Sequence, residues 1–437
     1  MALGFARSGR LGGSPLAFLD IGSSKVACLI VSAPGDDVRV GSALPVRKLG
    51  FGLTRSRGIR AGAVIDLAEA EDAVRQAVAQ AEQEAGVSIS KVTVAVSAGR
   101  LASLNFAGGA RPATGTVSSA DIDKVLQAGA GFASRDGREL LHLHRLGFRL
   151  DGETGIRNPR GMRGQKLMVD LNAVVADAAF TRNLRSLLGR SYLTVAGLVA
   201  APYASALASI GEDDLQAGLT VLDLGAETTA FAVFDAGLFL HAGAIAVGGQ
   251  QITLDIARAL GLPVNQAERI KALYGNLVGA LSDEHEYVPL ARPNSDPDTA
   301  QLVTRAQLRR IILPRVEEML HIVRERIGAT GLAKRSGARV LLTGGASQLA
   351  GLSEFVTRHW GCDVRVGSPR VAEGFAAGEL GPAHGVVVGL AYASLVAGAL
   401  PKRTAAIAAS PAGYAGRLGR WFKDSFWDDE TAETGAA

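Results

Sequence analysis

The chain is 437 residues long and 48% hydrophobic, with 54 glycines and only 5% aromatic residues, a composition of glycine-hinged strands and helices that excludes a disordered chain or a disulfide scaffold. At roughly one domain per 100 to 200 residues it holds about two to four compact units. Forty-six Lys plus Arg against 42 Asp plus Glu leave a formal charge of +4, too small for a nucleic-acid footprint, and no DNA- or RNA-binding signature stands out.

The first residues, MALGFARSGRLGGS, lack the continuous apolar stretch of a signal peptide and do not begin Met-Gly as an N-myristoylated chain would, so no export is expected. Next comes LDIGSSKVACLIV from Leu19: a strand, a tight glycine turn and a second strand. Cys28 lies inside that apolar run, far in sequence from Cys362, and both thiols are expected to be unpaired in a reducing cytoplasm. Leu67 to Ala85 has helical spacing, KVTVAVS from Lys91 reads as a strand, and Ala98 to Asp170 is an insertion with its own helix signal. In it Ser118 or Ser119 caps Ser119 to Gln127, and Asp121 and Asp123 suit the first turn. Phe180 to Leu188 is helical again.

LDLGAETTAFAVF from Leu222 repeats the first motif about 200 residues on, so the fold is expected to be duplicated. Gly279 to Thr299, with NSDPD inside, reads as a loop, and Gln301 to Ile327 as a helix interrupted or kinked at Pro314. RVLLTGGASQLAGLSEFV from Arg339 is a strand, a Gly-Gly turn and a helix from Leu349 to Trp360, a common ligand-facing arrangement at a sheet edge. Gly385 to Leu400 is apolar but short for a membrane span, hence a buried helix, and a small-residue linker follows.

The repeated hairpins have the chemistry for a triphosphate and its Mg²⁺, which need backbone N–H donors, a hydroxyl or ammonium, and carboxylates for metal-bound water. Asp20 and Asp223 would face each other across a cleft. Gly22, Ser23, Ser24, Gly225 and Thr228 would line the phosphates, and Lys25 would add positive charge. One such hairpin is weak support, and a buried, capped Asp explains it as well; two copies and the third Gly-Gly turn, in order, are much stronger.

These motifs resemble the five of the actin-like ATPase superfamily. LDIGSSKVA and LDLGAETTAF are similar to its two phosphate loops, LVAAPYASALAS from Leu198 and AHGVVVGLAYASL from Ala383 to its connecting helices, and VLLTGGASQLAGL from Val340 to its adenosine motif. Within the superfamily the chain resembles the FtsA family of bacterial cell-division proteins. GIRNPRGMRGQKLMVDL from Gly155 is similar to that family's 1C subdomain, and DIARALGLPVNQAERIKALYGN from Asp255 to its stretch after the second phosphate loop. The third likeness is a C-terminal helix rich in Trp and Phe. The resemblance implies an α/β, actin-like duplicated two-lobed fold with RNase H-like halves, an inserted 1C subdomain and a C-terminal amphipathic helix. Its divisions here are an N-terminal tail 1–13; subdomain 1A, 14–97 and 171–212; 1C, 98–170; 2A, 213–262 and 336–400; 2B, 263–335; a linker 401–413; the amphipathic helix 414–427; and an acidic end 428–437.

It further implies that ATP and Mg²⁺ bind, with Gly248, Gly249, Gly344, Gly345 and Ser347 in the site and Glu268 and Lys271 reaching the ribose or base. For Glu268 and Lys271 an ordinary surface pair at i,i+3 is an equal alternative. The chain would form filaments, bind the FtsZ C-terminal peptide near Arg315 and Glu318 and recruit other divisome proteins, all as a peripheral protein on the cytoplasmic face of the membrane at the division site. Ordinary solvated charges explain Arg315 and Glu318 at least as well. Leu418, Trp421, Phe422 and Phe426 recur at helical spacing, flanked by Arg417, Arg420 and Lys423, with Trp427 at headgroup level, the pattern of a helix lying in an anionic interface.

Two departures bear on chemistry. Ala226 and Glu227 stand where the superfamily usually has glycines, so Glu227 either points away, approaches phosphate through Mg²⁺, or weakens nucleotide binding. Val199, Ala200 and Ala201 offer no carboxylate or amide to position water, so at most slow hydrolysis is expected. The alternatives are a PilM-like pilus-assembly actin homologue and a phosphotransferase of the sugar or acetate kinase type; the tail argues against both.

Overall fold

The computed structural model describes residues 14–32, 44–98, 100–290, 302–332, 339–376 and 378–395. The N-terminal tail 1–13, the linker, the acidic end 428–437 and the expected membrane residues Arg417, Leu418, Arg420, Trp421, Phe422, Lys423, Phe426 and Trp427 lie outside those residues.

Two sheets repeat one plan. In the first, Leu16–Ile21 lies parallel to Lys91–Val96, which is parallel to Thr194–Ala200; on its other side it is antiparallel to Lys25–Ser32, which is antiparallel to Leu44–Arg55. The second places Leu219–Leu224 parallel to Arg339–Thr343 and then Asp363–Val366, and antiparallel to Thr229–Asp235 and then Leu238–Ile245. The registers coincide too, for Asp20 opposes Ala27 in one hairpin and Asp223 opposes Ala230 in the other. Strands buried on both faces need continuous apolar runs, and Lys25–Ser32 and Leu219–Leu224 have them.

The helices follow their capping chemistry. Leu67–Ala85 begins where the Asp66 carboxylate accepts the Ala68 and Glu69 N–H groups and ends at Gly86 in a left-handed conformation. Ser119–Ala133 starts with a capping box between Ser118 and Asp121 and runs on past its expected end at Gln127 to Ala133. It packs on a four-stranded sheet built from Ala102–Ala110, Leu167–Asp177, Arg138–Leu150 and Glu153–Ile156, over a core that includes Ile122, Val125, Phe148 and Leu171. This inserted sheet reaches the second of the repeated sheets by side chains. The amides of Asn172 and Asn105 donate to the Leu240 carbonyl at 2.8 and 3.4 Å, and the Ala242 N–H donates to Ser103 Oγ at 2.8 Å.

Between the repeated sheets lie Ala201–Ser209, buried along its whole length, and Gly385–Leu395. They touch backbone to backbone: a Cβ on Gly389 would lie 1.8 Å from the Ala204 carbonyl oxygen. Among the described residues no helix is long and apolar enough to cross a membrane, and Cys28 and Cys362 are both free and buried.

Two expectations are corrected. The helix with Pro314 is not interrupted and runs from Arg305 to Gly328. Pro314 sits on the exposed face, where water can satisfy the Arg310 carbonyl it leaves unbonded, while Leu308, Ile312, Val316, Met319, Val323 and Ile327 hold the opposite face to the core. The segment taken as a loop from Gly279 contains a 3₁₀ turn, Leu281–Glu284, and a strand, Tyr287–Pro289, paired with Leu302–Thr304. The Asp283 carboxylate fixes that turn by accepting from the Ala280 N–H at 2.9 Å and from Arg309.

Candidate functional site

Each repeated hairpin closes through the same hydrogen bond. The Gly22 N–H donates to the Lys25 carbonyl at 3.0 Å, and the Gly225 N–H donates to the Thr228 carbonyl at 2.9 Å. The strand residue two places before each glycine is an aspartate, so folding the sequence repeat carries Asp20 and Asp223 to equivalent turn edges. The two turns face one another closely enough for their charges to interact. Burial raises the Asp20 carboxyl to about 6, opposed by the charge of Lys25. Burial raises Asp223 to about 7, with the negative charge of Asp20 adding to the shift and Lys25 opposing it. Burial lowers the Lys25 ammonium, and the two carboxylates pull it back. Two carboxylates share one ammonium in a place poor in water, a set short of positive charge that a hydrated divalent cation fits.

Lys25 donates to the Ala383 carbonyl in the short turn before Gly385–Leu395, on the other side of the cleft. The third motif closes on the same turn. Thr343 Oγ1 and the Gly344 N–H both donate to the Pro382 carbonyl, at 3.1 and 3.0 Å, and the buried Ser347 hydroxyl donates to the Gly344 carbonyl at 2.7 Å. Gly344 sits at φ 84, and a Cβ there would come within 2.5 Å of Asp223 Oδ1, so glycine is required on both counts. Gly345 opens the following 3₁₀ turn, where a Cβ would make only an ordinary contact, 3.9 Å from the Ala383 Cβ.

Gly248 and Gly249 begin the helix Gly249–Leu260 and brace the second loop. The Gly249 and Gln250 N–H groups donate to the Gly225 and Ala226 carbonyls at 2.9 and 2.6 Å, and the Gly248 N–H donates to Gln251 Oε1. The Gly249 donor thus serves the loop and the Gly248 donor caps its own helix, and what remains to both glycines is shape. Glu268 and Lys271 come together beside this helix start: Lys271 Nζ donates to Glu268 Oε2 at 2.7 Å, Thr253 Oγ1 at 2.8 Å and the Gly249 carbonyl at 3.0 Å. Ser23 lies inside the cleft while Ser24 is exposed at the turn tip.

Arg315 and Glu318 lie apart from all of this, on the helix Arg305–Gly328. Arg315 grips Asp255 with Nε at 2.7 Å and a second nitrogen at 3.2 Å, and also pairs with Glu318. It therefore locks two helices of the second lobe together, while the Glu318 carboxylate stays half exposed.

A third loop was not singled out from the sequence. Residues 60–63 join the short strands Ile59–Arg60 and Ala63–Val64, with Ala61 at φ 45 and Gly62 at φ 73. The Gly62 N–H donates to Ser23 Oγ at 3.0 Å, and the Ala61 N–H donates to Glu227 Oε2 at 2.6 Å. The available signal was the Ala-Gly pair between Ile59 and Val64, a tight hairpin signature. Of the fates open to Glu227, the side chain takes one not foreseen, reaching across the cleft to the first lobe.

The chain matches the family described as cell division protein FtsA over residues 220–397, and the SHS2 domain inserted in FtsA over residues 98–175. It is 37% identical over 420 residues to the cell division protein FtsA of Rhizobium meliloti, covering 94% of this chain and 95% of that protein. To the FtsA of Agrobacterium fabrum it is 36% identical over 419 residues, with the same coverage. To that of Escherichia coli K12 it is 30% identical over 384 residues, 86% of this chain and 89% of that protein. Among solved structures it is similar to one titled PilM-PilN type IV pilus biogenesis complex, with a TM-score of 0.60, 18% identity, and 87% of this chain and 98% of that one covered. That likeness is one of fold, the actin-like duplicated architecture, whereas the likeness to the cell-division proteins runs along nearly the whole sequence.

Proposed function

We propose, from the premise that this chain belongs to the FtsA family of cell-division proteins, that it binds ATP with Mg²⁺ between its lobes, assembles into filaments and tethers FtsZ filaments to the cytoplasmic face of the membrane at the division site, where it recruits other divisome proteins. The observation that carries the nucleotide part is the meeting of two equivalent hairpins around one ammonium, one bringing the buried Asp223 carboxylate and the other the partly buried Asp20 carboxylate. Asp20 and Asp223 would hold Mg²⁺ through water. The bound ion would supply positive charge against the phosphates. Lys25, moving from the Ala383 carbonyl, would reach a phosphate oxygen, and the glycine at 344 lets the third motif approach beside Asp223.

Slow turnover is part of the proposal. The Ala200 N–H is held by His142 Nε2 at 2.8 Å, and Val199, Ala200 and Ala201 bring no side chain that could orient water. The membrane contact is assigned to residues 414–427 on their sequence pattern, and the FtsZ peptide to the face of Arg305–Gly328 that bears Glu318, which Arg315 holds in place through Asp255. Calorimetric titration with ATP and Mg²⁺ tests the cleft: Asp20→Ala and Asp223→Ala should each weaken binding by about tenfold or more, the scale of one charge-assisted contact. Folded variants that bind as tightly as the unsubstituted chain would place the nucleotide elsewhere.

A further inference from the structure

The two hairpin turns are superimposable in their closing hydrogen bond but not in what they hold. Between the bonded residues the first has Ser23-Ser24 and the second Ala226-Glu227, so a carboxylate occupies the place of a hydroxyl. Glu227 does not turn to solvent. It is half-buried, and its Oε2 accepts the Ala61 N–H at 2.6 Å from a turn of the opposite lobe. The next N–H of that turn, from Gly62, goes to Ser23 Oγ at 3.0 Å. One turn is thus pinned to both loops at once, and the pin on the second loop is a fixed negative charge lying between the lobes.

We infer that Glu227 sets the nucleotide preference of the cleft, supplying from the protein the negative charge that a terminal phosphate would bring to the gap between the loops, and so narrowing the margin by which a nucleoside triphosphate is held over a diphosphate. The inference rests on the nucleotide reading above. Its physical basis is that like charges in a cleft of intermediate dielectric repel strongly, and a triphosphate adds charge at the end of the chain of phosphates. An additional acceptor on the Ala61 N–H would also have to displace the carboxylate already there. Neither cost falls on a diphosphate to the same degree.

Two substitutions separate charge from bridging. Glu227→Gln retains an oxygen that can accept the Ala61 N–H but is neutral; Glu227→Gly removes both. In the full chain, with Mg²⁺ present and folding checked by circular dichroism, Kd is measured for ATP and for ADP, and amide hydrogen exchange is followed in a peptide spanning Ala61 and Gly62. The ratio of ATP to ADP affinity should rise about tenfold in both variants, while faster exchange at Ala61 appears in Glu227→Gly alone. An unchanged ratio in both variants, with both nucleotides still bound, overturns the inference and leaves the cleft reading standing. A shift in Glu227→Gly but not in Glu227→Gln also overturns it, since bridging rather than charge would then be the cause. If the unsubstituted chain and both variants bind neither nucleotide, the cleft reading falls and the inference with it.

Discussion

Burial holds the carboxyls of Asp20 and Asp223 at about 6 and about 7, well above their ordinary value of 3.8. Between 3.8 and those values the folded chain keeps protons that the unfolded chain has released, so these two groups stabilise the fold less as pH rises through that window, and the loss is complete above it. Without nucleotide or Mg²⁺, the melting temperature should therefore fall between pH 5 and pH 8, by the equivalent of about 1 to 3 kcal/mol if both groups contribute. In the doubly substituted chain Asp20→Asn, Asp223→Asn that fall should flatten, and the protein should be more stable than the unsubstituted chain at pH 8. Thermal denaturation across pH checks it; a melting curve with the same pH slope in both chains would mean that the aspartates ionise freely. The direction also says why these side chains are poor structural residues and good cation ligands. A divalent cation that binds only their charged forms recovers what ionisation costs.

Arg315 illustrates how an element is fixed by a partner distant in sequence. Its grip on Asp255, both side chains about a quarter exposed, joins Arg305–Gly328 to Gly249–Leu260, whose first turn holds the second hairpin. Arg315→Ala should cost about 1 to 2 kcal/mol in denaturant unfolding, because it leaves the largely buried Asp255 carboxylate with only the looser Arg258 contact at 3.9 Å, whereas Glu318→Lys should leave stability unchanged and weaken capture of an FtsZ C-terminal peptide. Peptide binding unaffected by Glu318→Lys would move the partner site to another face. The elements themselves were largely legible. Leu67–Ala85 is delimited by Asp66 and Gly86, local signals, and both hairpins announce themselves by a glycine between apolar runs. What was not legible depends on contacts across the chain. Pro314 reads as a break until its exposed side is known, the strand Tyr287–Pro289 needs its partner Leu302–Thr304, and the aim of Glu227 is set by a turn more than 160 residues earlier. In the same way the residue types of Glu268 and Lys271 were suggestive, but their shared contact with Thr253 belongs to the packing of two helices.

For the molecule as a whole, the proposed functions divide between the cleft, which lies within the described residues, and the segment 414–427, which does not. Aromatic burial of ~1 to 2 kcal/mol per side chain and roughly 1 kcal/mol for each of Arg417, Arg420 and Lys423 near an anionic leaflet offset the ordering of one helix only modestly, so one copy should hold a membrane weakly. Many copies in a filament gain avidity. Deleting 414–437, or substituting Trp421→Glu and Phe422→Glu together, should abolish sedimentation with anionic liposomes while nucleotide affinity stays unchanged. Full sedimentation of either variant would put the anchor elsewhere.

The side chains of Ser103, Asn105 and Asn172 occupy the outer edge of Leu238–Ile245, where a further strand would otherwise add. An open strand edge recruits strands from other molecules and is a common start of amyloid growth. Two side-chain amides and the Ser103 hydroxyl satisfy Leu240 and Ala242 but cannot pass a backbone ladder on to another copy. In the filament proposed above, the inserted sheet would thereby keep neighbouring copies from a second, irreversible kind of polymerisation.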